Sequence, residues 1–127
     1  MRHLYRIRGS HLNVGAAEST TLQLPTARPG GKAVKSWLLV GFHYKQSGGT
    51  AANYTPTLGE IAGWTAGGID ERMTYTSTAV GTAINDVFAA PIPCRTDANG
   101  RLYFRPGFNT GTDNDGDYEF WFEFVKG

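Results

Sequence analysis

Hydrophobic alternation is clearest in the stretch Asp117-Tyr118-Glu119-Phe120-Trp121-Phe122-Glu123-Phe124-Val125-Lys126. Period two places Tyr118, Phe120, Phe122 and Phe124 on one face, which predicts a strand with that face buried. The other face carries Glu119, Trp121, Glu123 and Val125, a mixture that suits a half-solvated sheet or a surface that meets another protein. Upstream, Asn99-Gly100 is a hairpin turn signal and residues 101–105 alternate again, so the final quarter is expected to be a two-stranded aromatic meander. Similar patterns predict strands near residues 3–8, 20–24, 34–44, 72–76 and 85–89. In the first of these Tyr5 and Ile7 point inward and Arg6 and Arg8 outward. The run Ser36-Trp37-Leu38-Leu39-Val40-Gly41-Phe42 is apolar at successive positions. A central strand covered on both faces reads this way, with Gly41 marking a bulge or a close backbone approach.

Turn formers crowd residues 25–31, 46–50 and 110–116, between the expected strands. Residues 57–68 hold four glycines, which disfavour a stable helix, and are read as a long functional loop. Seventeen glycines depress helix propensity throughout. The expectation is all-β: a single antiparallel β-sandwich, jelly-roll-like, of about seven or eight strands, with residues 1–127 as one domain. A chain of 127 residues buries roughly two-thirds of its unfolded surface, enough for a real core without metal or disulfide. The one cysteine, Cys94, forms no internal bridge, and no apolar run has the length of a membrane span or signal core. Synthesis in a cytosol without export is expected.

A net charge of +1 conceals an asymmetry. Residues 1–45 hold seven Lys or Arg against the single acid Glu18, and residues 46–127 hold five against ten Asp or Glu. If the first strands pair with the last, these charges neutralise one another within the molecule. Otherwise the chain is a dipolar particle that docks head to tail or onto a charged protein lattice.

Candidate chemistry is sparse. The loop Asp113-Asn114-Asp115-Gly116-Asp117 gathers oxygen ligands, and Asp113, Asp115 and Asp117 are the calcium candidates. The loop fails the EF-hand pattern, because Tyr118 and Phe124 stand where a glycine and a bidentate glutamate belong. Turn residues ahead of a strand explain it better. Glu119 and Glu123 share a face, but four residues of strand separate them by roughly 13 Å at about 3.3 Å per residue. A glycosidase pair needs about 5 to 9.5 Å, so salt bridges to a neighbouring strand are expected instead. His3, His11 and His43 have no zinc-ligand spacing, and Cys94 lies in no nucleophile signature. No phosphate-binding loop or Gly-x-Ser-x-Gly occurs. The interleaved basic and aromatic residues of His3-Leu4-Tyr5-Arg6-Ile7-Arg8 have the character of a nucleic-acid platform, yet ordinary sheet patterning explains them, and a near-neutral chain has little drive toward phosphate. Trp64 sits among small residues, so it is either an interface anchor or a cap over an open end of the sandwich.

The composition, the apolar strand at residues 36–44, and Gly100-Arg101-Leu102-Tyr103-Phe104-Arg105-Pro106-Gly107-Phe108-Asn109 leading through an Asn/Asp/Gly loop into an aromatic last strand together resemble the small β-sandwich decoration, or cement, proteins of tailed-bacteriophage capsids. The resemblance covers about half of the chain and includes no diagnostic motif. It implies a non-enzymatic virion protein, without cofactor, nucleic acid or membrane as partner. Such a protein is made in a bacterial host cytoplasm, binds the major capsid protein on the outside of the head, and assembles as a homo-oligomer, a trimer before a dimer. Contact candidates are the basic first strand with Arg2, His3, Tyr5, Arg6 and Arg8, the segment around Arg28 and Lys32, and Trp64. The alternatives are a phage tail or fibre component, and a lectin-like carbohydrate-binding module that uses Trp64 and Tyr54 as platform and the acidic loop for calcium.

Overall fold

The computed structural model describes residues 4–14, 19–27, 30–31, 33–49, 53–75, 78–79, 82–108 and 114–125. Among the described residues ten strands, more than the seven or eight expected, follow one another: β1 (Leu4–Val14), β2 (Thr20–Gln23), β3 (Ser36–Gly48), β4 (Asn53–Tyr54), β5 (Thr57–Gly59), β6 (Glu71–Thr74), β7 (Thr78–Ala79), β8 (Ile84–Arg95), β9 (Arg101–Arg105) and β10 (Asn114–Phe124). Antiparallel ladders join β1 to β10, β2 to β9, β3 to β8, β4 to β7 and β5 to β6. These pairs are nested, so the chain runs as one long hairpin whose tip is the β5–β6 turn. Two further antiparallel ladders, β10 with β3 and β9 with β5, roll that hairpin into two four-stranded sheets. Their orders are β1-β10-β3-β8 and β2-β9-β5-β6, with β4-β7 a small third ladder. This is a jelly-roll β-sandwich.

The nesting also resolves the charge asymmetry. The basic first strand lies beside the acidic last one, Arg8 opposite Glu119 and Ser10 opposite Asp117, and the two ends of the chain neutralise each other.

An aromatic core fills the space between the sheets. On β10 the residues Tyr118, Phe120 and Phe122 are buried, with Phe124 half-buried at the end of the row. Facing them, Phe104 of β9 meets Phe120 edge-on with ring centres 5.2 Å apart, and Phe42 of β3 lies 4.8 Å from Phe120. Each such side chain contributes roughly 1.5–3 kcal/mol through burial, and offset or edge-on aromatic pairs add to it.

Two sequence expectations need correction here. Residues 101–105 and the last strand form no meander. They belong to opposite sheets, and their aromatic faces meet across the core. The Asn99-Gly100 turn is accordingly a corner between sheets, held by the Asp97 carboxylate, which accepts from the Asn99 and Arg101 amides at 2.8 and 3.1 Å. The apolar run of β3 has a different cause as well. The strand is central, but its inward parity changes: Trp37 and Leu39 point to the core, then Phe42, Tyr44 and Gln46. The register slips around Val40 against both neighbours, which is the bulge expected at Gly41. A Cβ on Gly41 would sit 3.0 Å from the Trp121 ring, so the close approach expected there is present too.

Candidate functional site

The outer face of the first sheet carries most of the sequence-selected groups. Alternation turns Tyr5, Ile7 and His11 of β1 toward the sandwich interior and Arg6, Arg8 and Ser10 outward. On neighbouring β10 the outward residues are Asp117, Glu119, Trp121 and Glu123. Glu119 stands between the two arginines, 3.2 Å from Arg8 Nε and 3.9 Å from Arg6. Its expected salt bridge to the adjacent strand is therefore formed. Ser10 Oγ donates to Asp117 at 2.6 Å, and His43 Nδ1 lies 3.1 Å from Asn85 Oδ1. Arg8, Ser10, His43, Asp117 and Glu119 enclose a cleft of ≈ 430 Å³. Arg6 and Arg8 stand on the border strand with side chains 55% and 71% exposed, and the acids Asp117, Glu119 and Glu123 lie one strand inward.

The two borders of this sheet differ. The far side of β1 pairs with none of the described strands, and from Leu4 to His11 the strand is regular and free of proline. The other border, β8, is interrupted. Its register jumps from Ile92 opposite Leu39 to Val87 opposite Gly41, so residues 88–91 bulge out against a single partner position. Pro91 and Pro93 remove two backbone donors from the same strand. The strand expected at residues 85–89 runs on to Arg95, through prolines that an edge strand tolerates.

Trp64 is not an exposed anchor. It is 3% exposed and lies on the outer face of the second sheet, over Gly59, where a Cβ would collide with its ring. The Arg105 guanidinium stacks over the ring, 3.9 Å from its centre. Glu71 accepts from the indole Nε1 at 3.4 Å and from the Gly67 amide at 3.3 Å. Glu60 bonds Arg72 at 3.0 Å and accepts from the Arg95 amide at 2.6 Å, tying the loop to the first sheet. The segment read as a long functional loop thus begins with strand β5 and continues as a folded lid. Of the two roles open to Trp64 in the sequence, anchor or cap, the buried one holds, on the face of a sheet and not over an open end; the sequence could not show this because its cover comes from Arg105, 41 positions away. Tyr54, the other residue of the sugar platform, is fully buried, with its hydroxyl donating to the Thr82 carbonyl. The platform reading of this pair does not hold.

His11 and His43 lie on opposite faces of the first sheet. His11 is buried, 2.6 Å from the Tyr44 hydroxyl and stacked on that ring. Burial holds His11 below the usual histidine range and pushes the Tyr44 hydroxyl up. Cys94 is buried as well, its thiol pushed up to about 12 by burial and then by Glu60. Such a thiol stays protonated and unreactive at neutral pH. Asp115 and Asp117 share the outward face of β10, and among the described residues no three acidic, histidine or cysteine side chains converge on a metal position. Arg2, His3, Arg28, Lys32 and Asp113 lie outside the described residues.

No protein-family model matches the chain, and comparison with curated proteins finds no match. What the arrangement can do chemically is therefore argued from its geometry. The outer face offers paired charges and, among the described residues, a strand border without a pairing strand.

Proposed function

We propose that this chain is a non-enzymatic structural protein of a bacteriophage particle that binds the outer surface of the head and stabilises its lattice, as a decoration or cement protein. The observation that carries the reading is the contrast of borders in one sheet: a rigid jelly roll with one border broken by bulge and prolines, and the other regular, basic and open. Of the two borders of this sheet, β1 is the one suited to a partner. The sequence resemblance and the use of jelly rolls in virus shells support the same reading. The major capsid protein is the proposed partner, and a homo-oligomer, with a trimer favoured over a dimer, is the proposed acting form.

The mechanism is linkage. A protein that binds only the mature lattice stabilises it by its own binding free energy, about 2.7 kcal/mol per site at a hundredfold excess over Kd. Joining several sites through an oligomer multiplies weak contacts into strong retention. Arg6 and Arg8 suit an acidic outer surface and speed encounter with it.

The test is co-sedimentation of the purified protein with mature heads and with unexpanded precursors, with and without EDTA, alongside light scattering of the free protein. Chelator-insensitive binding to mature heads alone supports the proposal. A second reading, a glycan-binding module, rests on the cleft of Arg8, Ser10, His43, Asp117 and Glu119, whose groups suit sugar hydroxyls. Retention on a glycan column without binding to heads would favour it and remove the cement reading.

A further inference from the structure

The open border of β1 says more about its partner than that one exists. An unpaired strand offers a row of backbone donors and acceptors to any extended segment. Three observations narrow the segment. The regular stretch Leu4–His11 matches β10 residue for residue, so an added strand finds a straight template without a bulge. Its outward side chains include Arg6 and Arg8, both more than half exposed. Its inward side chains include Tyr5, 38% exposed, and Ile7, packed against the partly open edge of the core. An added strand would therefore meet positive charge on one face and apolar surface on the other.

A second copy of this chain fits poorly. Every two-fold antiparallel pairing centred on residues 6 to 8 sets arginine against arginine, and like charges directly opposite are destabilising. The border β8 is excluded as the receiving edge by Pro91, Pro93 and the bulge at residues 88–91.

We propose that β1 is a docking edge for an extended segment of a partner protein in which acidic and apolar residues alternate, the acids facing Arg6 and Arg8 and the apolar side chains continuing the core over Tyr5 and Ile7. It rests on the capsid reading only for the partner's identity. The preference of the edge belongs to this chain alone.

The probe is a short synthetic peptide alternating glutamate with valine, titrated into the isotope-labelled protein and followed by amide NMR shifts. A counterpart with lysine in place of glutamate is the control. Shifts concentrated on residues 4–11 with the glutamate peptide alone are expected, weakening as salt is raised. The Arg6→Gln/Arg8→Gln double variant, its fold verified by its own spectrum, should bind on the order of fivefold more weakly. Because the salt dependence is measured on the unaltered protein, the test stands even if the variant misfolds. Absence of shifts, equal binding of the lysine peptide, shifts centred on β8, or self-association of the protein through β1 would each overturn the proposal. If heads bind but the peptide does not, the edge proposal falls and the capsid reading stands; if the peptide binds and heads do not, the reverse holds.

Discussion

The outer faces of the two sheets are built to opposite plans. On the first sheet Arg6, Arg8 and Asp117 lie in the open, Glu119 is held between the two arginines, and Ser10 bonds Asp117, with no folded lid among the described residues. On the second, the tip of the long hairpin turns back and lays Trp64 over Gly59, with Arg105 stacked on the ring. An interior of aromatic rings serves both. The difference separates two kinds of residue that look alike in sequence. The tryptophan in a glycine-rich loop belongs to the structure, whereas the arginines of the first strand remain available to a partner.

Removing the shared interior should give the largest effect and abolish the comparison. Phe120 is fully buried between Phe42 and Phe104. Phe120→Ala is expected to cost about 3–5 kcal/mol. Against a typical total stability of about 5–15 kcal/mol, that is a large share. Urea denaturation measures it. A loss below about 1 kcal/mol would mean that the two sheets do not share one core.

Next comes the lid. Trp64→Ala should cost about 3 kcal/mol, the low end for a buried tryptophan, because the residue packs on one side of a sheet and not between two. Its cation–π contact with Arg105 goes with it. Binding at the β1 edge should be unchanged. A variant of unaltered stability that loses binding would reverse the assignment and return Trp64 to the role of anchor.

The fate of Trp64 shows where sequence reasoning stops. Period two was enough to find β9 and most of β10, to orient Tyr5, Ile7, Arg6 and Arg8, and to place Glu119 in a cross-strand ion pair, because each depends on alternation or on the pairing of first and last strands. It could not show that β9 and β10 lie in different sheets. A connection rich in glycine, asparagine and aspartate, such as residues 106–113, reads the same whether the strands it joins pair or cross the sandwich. The parity change of β3 at Val40 was hidden because apolar residues occupy both phases. Strand β5 is only three residues long, too short for a periodic signal, and the second half of β8 carries two prolines whose tolerance depends on its edge position. The candidate site was half legible: the basic strand was found, but its openness is a property of topology.

His11 offers a subtler way to sharpen the contrast, since it joins the inner side of the docking strand to the core. Burial keeps it neutral in the folded protein, 2.6 Å from the Tyr44 hydroxyl of β3, while a hydrogen bond with the Asn114 backbone and then the carboxylates of Asp115 and Asp117 on β10 partly offset the effect of burial. An unfolded chain takes up the proton near pH 6.5, and the folded one resists it to lower pH. Stability should thus be fully present above about pH 6.5 and decline as pH falls toward the depressed folded value, with a slope approaching 1.4 kcal/mol per pH unit at most. His11→Asn should flatten the decline in that window. Asp97, held below the usual carboxylate range by the Arg101 amide, acts in a separate, more acidic window. A variant whose stability still falls equally between pH 6.5 and 5 would detach His11 from the effect.

The smallest change concerns Glu119, and it separates the outer face of the first sheet from its inner one most finely. Its carboxylate is shared by Arg6 and Arg8, whose side chains are largely solvated. The Glu119 side chain itself is only 12% exposed, which puts the interaction at the upper end of the about 0.2–1 kcal/mol that exposed pairs contribute. Glu119→Gln should therefore lower stability by no more than about 1 kcal/mol, since Phe120 and Tyr118 on the other side of the same strand are untouched. Binding should move the opposite way. Without the internal carboxylate both arginines face the incoming strand uncompensated, and affinity for the glutamate–valine peptide should rise severalfold, most at low salt. If binding weakens instead, Glu119 is positioning the arginines for the partner and not competing with it, and the acids of the incoming strand must reach them from beyond the ion pair.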